Sequence, residues 1–175
     1  MGNAEKDKWF KETVRDCEPR LLRFLVKMIP LSIAREIVQE AFIKLLREDS
    51  AAIRNHTAEW LFTVCRNSAL DHVRREGLIQ VSSTSALTIV DQSPLALDEI
   101  ETRQQLERIC DAIHRLPSIE QEVIRLKFQE GFSYKEISRI TGHSISYIGV
   151  LIHQAIQKIR GELSIAKGEE NETGT

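Results

Sequence analysis

The sequence predicts an all-α fold of two small helical domains joined by a flexible linker. Three observations predict it: apolar residues recur at three- and four-residue steps through most of the chain, no stretch shows the period-two pattern of a strand, and between Gly77 and Leu97 the helical period stops. With 175 residues there is room for one compact domain or two small ones, and 42% hydrophobic residues are enough to bury their cores.

From Trp9 to Ile29 the residues Phe10, Val14, Cys17, Leu21, Phe24, Leu25 and Met28 share one helical face, and Pro19 is expected to kink or divide that helix. A second helix is expected after Pro30, capped by Ser32 and ending near Glu48, with Ile33, Ile37, Val38, Ala41 and Leu45 inward. The segment Thr57 to Glu76 contains neither Gly nor Pro and predicts a third helix, apolar at its start and basic at its end. The next stretch carries Gly77, Ser82-Ser83-Thr84-Ser85, Ser93-Pro94 and a single charge, Asp91, which is the texture of a linker. Its Leu78, Ile79, Val81, Leu87, Ile89 and Val90 are more apolar than a free spacer needs, so it lies against a partner or packs on its own domains.

Leu106, Ile109, Cys110, Ile113 and Leu116 mark a fourth helix that Pro117 ends, and three shorter helices follow. Ser118 with Gln121, and Ser133 with Glu136, have the capping-box spacing; Gly131 and Gly142 stand where left-handed caps are expected; Ser144 can cap a last helix to about Leu163. The polar tail is expected to be disordered. The expected division is therefore 1–76, a linker at 77–97, a second domain at 98–163, and a tail at 164–175.

Composition narrows the function classes. Lys and Arg number 24 against 26 Asp and Glu, a formal charge of -2, so any nucleic-acid contact has to come from local patches. Cys17, Cys65 and Cys110 are odd in number and far apart, which points to a reducing compartment, neither a disulfide framework nor a zinc knuckle. The five histidines lack the paired spacing of a metal site, no phosphate-binding glycine loop or nucleophile motif is present, and no cofactor or small-molecule substrate is expected. Met1-Gly2-Asn3-Ala4-Glu5 carries charge where a signal peptide carries an apolar run, and no stretch reaches the roughly 20 apolar residues of a membrane span. A cytoplasmic protein without membrane insertion is expected.

Two constellations bear on function. Ser133 to Ser144 reads as a short capped helix, a glycine-containing turn and the start of a longer helix, the layout of a helix-turn-helix, whose second helix can enter the major groove. Ile145, Ile148, Ile152, Ile156 and Ile159 are expected to hold that helix down, leaving Ser146, Tyr147, Gly149, Val150, His153, Gln154 and Gln157 outward. A plain helical hairpin is the alternative. The second constellation runs from Trp60 to Arg75, where an aromatic start and the cations Arg66, Arg74 and Arg75 suit strand capture by stacking and phosphate neutralisation. A solvated basic helix end, favoured by the helix dipole, is the bland reading of the same residues.

Four segments carry a resemblance: Pro19-Arg20-Leu21-Leu22-Arg23-Phe24-Leu25, Glu36-Ile37-Val38-Gln39-Glu40-Ala41-Phe42, Trp60 to Arg75, and Leu116-Pro117 through Gly131-Phe132-Ser133-Tyr134-Lys135-Glu136-Ile137. In that order, over most of residues 10 to 163, they resemble the extracytoplasmic-function sigma factors, bacterial transcription initiation factors without catalytic activity of their own. The resemblance implies a sigma2-like domain at 1–76, a sigma4-like helix-turn-helix domain at 98–163, and core RNA polymerase and promoter DNA as partners. It makes Glu36, Gln39 and Glu40 the docking residues for the polymerase clamp helices, which composition alone would read as a solvated acidic face. Arg66, Asn67, Arg74 and Arg75 become contacts to the melted minus-ten strand, and the loop Asp49 to His56 resembles one that accepts a flipped base. The linker resembles the segment that threads the polymerase cleft.

For the minus-thirty-five element the resemblance and the outward face together nominate Ser146, Tyr147, Gly149, His153 and Gln154 as readers, with Lys135, Arg139, Lys158 and Arg160 on phosphates. The sequence departs from its relatives here: where many carry basic residues at the positions of Gly149 and Leu151, no Lys or Arg occurs from Ile140 through Gln157. Residues 98–163 hold nine cations and ten anions, whereas 1–76 hold fourteen and twelve, so the first domain is the stronger expected DNA binder. Val150 and Leu151 are alternatively read as facing a protein such as an anti-sigma factor. Two other readings stand beside this one: a helix-turn-helix regulator that never binds polymerase, which a pull-down with core enzyme separates, and an all-helical nucleic-acid enzyme, disfavoured by the lack of paired carboxylates or metal ligands.

Overall fold

The structure is a computed structural model that describes residues 3–48, 50–76 and 97–172. The expected linker, Leu97 excepted, lies outside them. The described residues are helical and turn structure without a strand. They fall into two compact units, residues 3–76 with 135–143, and residues 97–134 with 144–172.

The first unit is built on three mutually packed helices, α1 (Asn3–Leu25), α2 (Leu31–Arg47) and α4 (Thr57–Arg75), with the short α3 (Ser50–Ile53) and a 3-10 turn (Arg54–His56) between the last two. Their apolar stripes meet as the periodicity requires: Leu21, Leu25, Val38, Leu45, Leu61, Phe62 and Cys65 are buried. Phe24 and Phe62 lie 5.3 Å apart, and Phe10 meets Phe42 edge-on at 6.1 Å. Pro19 does not divide α1, which runs through it. Ser32 is not the cap of α2. Pro30 holds that position with φ -57 and ψ 149, and its carbonyl accepts from the Ala34 N–H at 2.9 Å. Proline already has the extended dihedrals a cap needs and can donate no bond there. The expected loop before α4 is largely wound into α3 and the 3-10 turn, and Thr57 donates its hydroxyl back to the Ile53 carbonyl at 3.0 Å.

The second unit packs α8 (Ile145–Glu172) against α5 (Leu97–His114) and α6 (Ser118–Ile124). Pro117 caps α6, so the Ser118 box does not form. Gln121 instead donates its side-chain amide to the His114 and Leu116 carbonyls at 2.9 and 2.8 Å, closing the end of α5. A π turn, Arg125–Gln129, continues α6, and Gly131 follows it at φ 78. The short α7 (Tyr134–Thr141) groups with the first unit, and Gly142 ends it at φ 77. At both glycines the backbone needs the left-handed region, which a Cβ disfavours. The last helix is 28 residues long and continues well past Leu163 to Glu172, where a disordered tail was expected. Ala166, Lys167 and the run of Glu are good helix formers, and one Gly168 costs only about 1 kcal/mol.

Burial sorts the thiols. Cys17 and Cys65 are buried and Cys110 is exposed, and burial pushes the Cys65 thiol up to about 12. Only the thiolate reacts, so Cys110 is expected to be alkylated first at neutral pH, with Cys17 and Cys65 reacting on unfolding. Mass spectrometry of the maleimide-labelled native protein checks this, and rapid labelling of Cys65 would contradict the packing of α1, α2 and α4.

Candidate nucleic-acid and partner interfaces

The face of α2 opposite its core residues carries Glu36, Gln39 and Glu40, all exposed. Two apolar side chains, Ile43 and Leu46, are also exposed toward its C-terminal end. Neither was expected at the surface from residue type, although both are offset from the buried Ile37, Ala41 and Leu45 face. Acid, carboxamide and bare apolar surface on one helix is the chemistry of an interface that a basic, partly apolar helix can cover.

On α4 the expected strand contacts separate into two groups. Asn67, Arg74 and Arg75 are exposed, the arginines in the last turn where the helix carbonyls favour cations. Arg74 reaches Asp71 at 3.1 Å, and both side chains are more than half exposed. Arg66 departs from expectation. It is 8% exposed, and its long stem lies on the same side of α4 as the buried Phe62, Cys65 and Ala69. Its side chain belongs to the packing of the first unit, not to the surface that Arg74 and Arg75 form. Ahead of α4, Arg54 lies over Trp9 at 5.9 Å and meets Glu5 at 3.4 Å.

In the helix-turn-helix segment the turn is held locally. Ser138 donates its hydroxyl to the His143 carbonyl at 2.6 Å, and Ser144 accepts the Tyr147 N–H at 3.2 Å, the expected cap of α8. Along α8, Ser146, Tyr147, Val150, His153, Gln154 and Gln157 are exposed and Gly149 is half-buried. Two expectations fail on the opposite side. Ile145 is exposed, and Leu151, nominated for a protein partner, is buried at 3% beside Ile148, Ile152 and Ala155. The core face of α8 is thus set by those four residues, which rotates Ile145 out and Leu151 in.

The four cations assigned to phosphates are placed differently from one another. Lys135 and Arg160 are exposed. Arg139 sits 2.8 Å from the buried carboxylate of Glu59. Lys158 donates to Glu120 of α6, a carboxylate only 4% exposed, so its ammonium neutralises a charge that the core would otherwise hold uncompensated. A further cation was missed: the Lys127 ammonium lies 5.3 Å over the Tyr134 ring, and that ring is the nearest neighbour, at 3.8 Å, of a side chain built at Gly149. This brings a positive charge to the flank of α8 from the π turn, a juxtaposition that sequence spacing does not reveal. Among the described residues no cluster of three His, Cys, Asp or Glu could hold a metal ion, and no helix is long and apolar enough to cross a membrane.

Comparison with known proteins decides among the readings. The family model for sigma-70 region 2 matches residues 13–79, and that for sigma-70 region 4 matches residues 106–159, together well over half of the chain. The chain belongs to the extracytoplasmic-function sigma factors of the sigma-70 family. Among its relatives, the ECF RNA polymerase sigma factor RpoE of Cereibacter sphaeroides is 26% identical over 158 residues, covering 89% of this chain and 86% of that one. The ECF RNA polymerase sigma factor SigW of Bacillus subtilis is 28% identical over 140 residues, covering 74% and 75%. The RNA polymerase sigma factor YlaC of the same organism is 26% identical over 153 residues, covering 80% and 83%. Among solved structures, the sigma factor RpoE of Bartonella quintana, crystallised with the anti-sigma factor NepR, matches with a TM-score of 0.62 at 22% identity, covering 89% of this chain and 97% of that one, which supports the fold. This sigma factor therefore directs core RNA polymerase to promoters and leaves catalysis to the polymerase. A helix-turn-helix regulator that acts without polymerase is not favoured.

Proposed function

We propose a division of labour along the chain. The outer face of α2, with Glu36, Gln39, Glu40 and the neighbouring Ile43 and Leu46, docks on core polymerase. The end of α4, with Asn67, Arg74 and Arg75, holds the melted minus-ten strand. The exposed stripe of α8, with Lys135 and Arg160 on phosphates, reads the minus-thirty-five element, and the segment 77–97 serves as the strap between them. Arg66 supports α4 from below as a positioning residue, Lys158 does the same for α8, and Arg139 contributes to DNA only after leaving Glu59.

The observation that carries this reading is the exposure of Arg74 and Arg75 in the last turn of α4, on a chain matched there by the region 2 model. Positive charge at the carboxyl end of a helix is held ready for phosphate without desolvation. The proposal places the protein in the cytoplasm, where its polymerase and template are. An anti-sigma factor is a further partner, supported by the relative that was crystallised with one.

Run-off transcription with added core polymerase tests docking and melting together. The full chain is expected to confer promoter-specific transcripts, and Glu36→Lys with Glu40→Lys to abolish them by weakening core binding about a hundredfold or more, since like charges brought together at an interface cost several kcal/mol. Wild-type pull-down of core polymerase by the double variant would reject the α2 assignment.

A further inference from the structure

Resting on the promoter-reading proposal above, we infer that the upstream element is read without a guanine contact, as a thymine- and adenine-rich sequence recognised through Tyr147, Val150 and Gln154. These three stand at successive three- and four-residue steps of α8 and are exposed, Val150 at 49%. Ile148, Leu151, Ile152 and Ala155 hold the opposite side down, so the stripe is presented by a buried framework rather than by a free helix. The Ser144 cap fixes the amino end of α8, the end from which such helices reach base edges.

The chemistry of the stripe decides what it can read. Guanine is distinguished in the major groove chiefly by a bidentate Arg or Lys on O6 and N7, and none occurs from Ile140 through Gln157. The other cations do not substitute for one: Arg139 is engaged with Glu59, Lys158 with Glu120, and Lys127 with the Tyr134 ring and the Phe132 carbonyl, while Lys135 and Arg160 are the phosphate contacts proposed above. What the stripe offers instead is a branched apolar group at Val150, complementary to the thymine C5-methyl, and a carboxamide at Gln154. That carboxamide can accept from adenine N6–H while donating to N7. Tyr147 adds a ring edge at the first turn. Ser146 and His153 flank the stripe with single hydrogen bonds, which discriminate less than a bidentate pair.

Holoenzyme formed from core polymerase and the full chain tests this on a promoter library whose upstream element is randomised while the minus-ten element is constant. The transcribed members are expected to be enriched in A·T pairs. At one enriched thymine, replacement by deoxyuridine should lower transcription about three- to fourfold, the worth of one buried methyl. Val150→Ala should bring that thymine-to-deoxyuridine ratio close to one. Gln154→Arg should move one enriched adenine to guanine with a swing of about fivefold or more. Both substitutions alter exposed side chains, so the fold is not at stake. Guanine already dominant at the positions these variants affect would overturn the inference. So would a preference that neither variant moves, which would give the stripe to a protein partner. Absence of transcripts from every library member would overturn the promoter-reading proposal itself and this inference with it, a failure distinct from the other two.

Discussion

Replacing Arg74 and Arg75 together by Ala is expected to reduce open-complex formation about a hundredfold or more while leaving the binding of core polymerase unchanged. Each guanidinium in contact with a phosphate makes charge-assisted hydrogen bonds worth about 1.5–3 kcal/mol, and 1.4 kcal/mol is a factor of ten. The existing partner of Arg74 does not offset this. Its pair with Asp71 joins two side chains that are more than half exposed, and such surface pairs are worth about 0–1 kcal/mol, so exchanging the carboxylate for a phosphate costs little. Salt dependence makes the assignment sharper. If both arginines neutralise phosphates of a separated strand, the slope of log affinity against log salt should become shallower by about 1.4, and by about 1.8 if the strand is still duplex. Arg66→Ala is the internal control. Because Arg66 is buried, that variant should lower the melting temperature and leave the salt slope of the folded protein as it was. Open complexes that form normally without Arg74 and Arg75 would remove the end of α4 from the DNA path.

The difference between Arg66 and the two arginines at the end of α4 also separates what is legible in the sequence from what is not. Helices α1, α2, α4 and α8 were legible because each buries a stripe, and a stripe is written directly into the spacing of Leu, Ile, Phe and Val. Arg66 falls on the buried side of α4 by the same spacing, four residues after Phe62 and three before Ala69, but the motif suggested a surface role and outweighed the period. In α8 the isoleucine spacing misleads at the first turn: a face that starts at Ile145 leaves Leu151 outside, whereas Ile148, Leu151, Ile152 and Ala155 define a face that excludes Ile145.

The Ser144 cap of α8 was legible, but the starts of α2 and α6 were not, for a different reason. Ser32 and Ser118 each stand two and one residues after a proline, and in both cases the proline takes the cap, because its fixed dihedrals already match and the serine is carried into the first turn. The candidate site was legible as a set of residue types on helices, and its charge pairing was not. Glu59 with Arg139, and Glu120 with Lys158, are long-range pairs made by tertiary packing, and nothing in local spacing distinguishes a cation that will be spent on a buried carboxylate from one left for a phosphate.

For Lys158 that distinction has a measurable consequence. Lys158→Met is expected to destabilise the protein by about 2–3 kcal/mol, and to leave the salt slope of promoter binding unchanged. Breaking a fully buried pair from one side costs about 3–5 kcal/mol because the remaining charge is stranded; here the ammonium is half exposed, so water can partly replace it and the cost falls to the bottom of that range or just below. The cost lies with Glu120, whose carboxylate is almost fully buried against α8. Glu120→Gln in the Lys158→Met background should therefore recover most of the loss, since a neutral amide of the same shape needs no counter-charge, and the coupling energy of this double-mutant cycle should be about 1–3 kcal/mol. A phosphate contact would behave in the opposite way: the Lys158 variant would keep its stability, the salt slope would fall by about 0.9, and Glu120→Gln would rescue nothing. Denaturant unfolding of the four proteins beside a salt titration of promoter binding separates the two, and the second outcome would return Lys158 to the DNA-contacting surface.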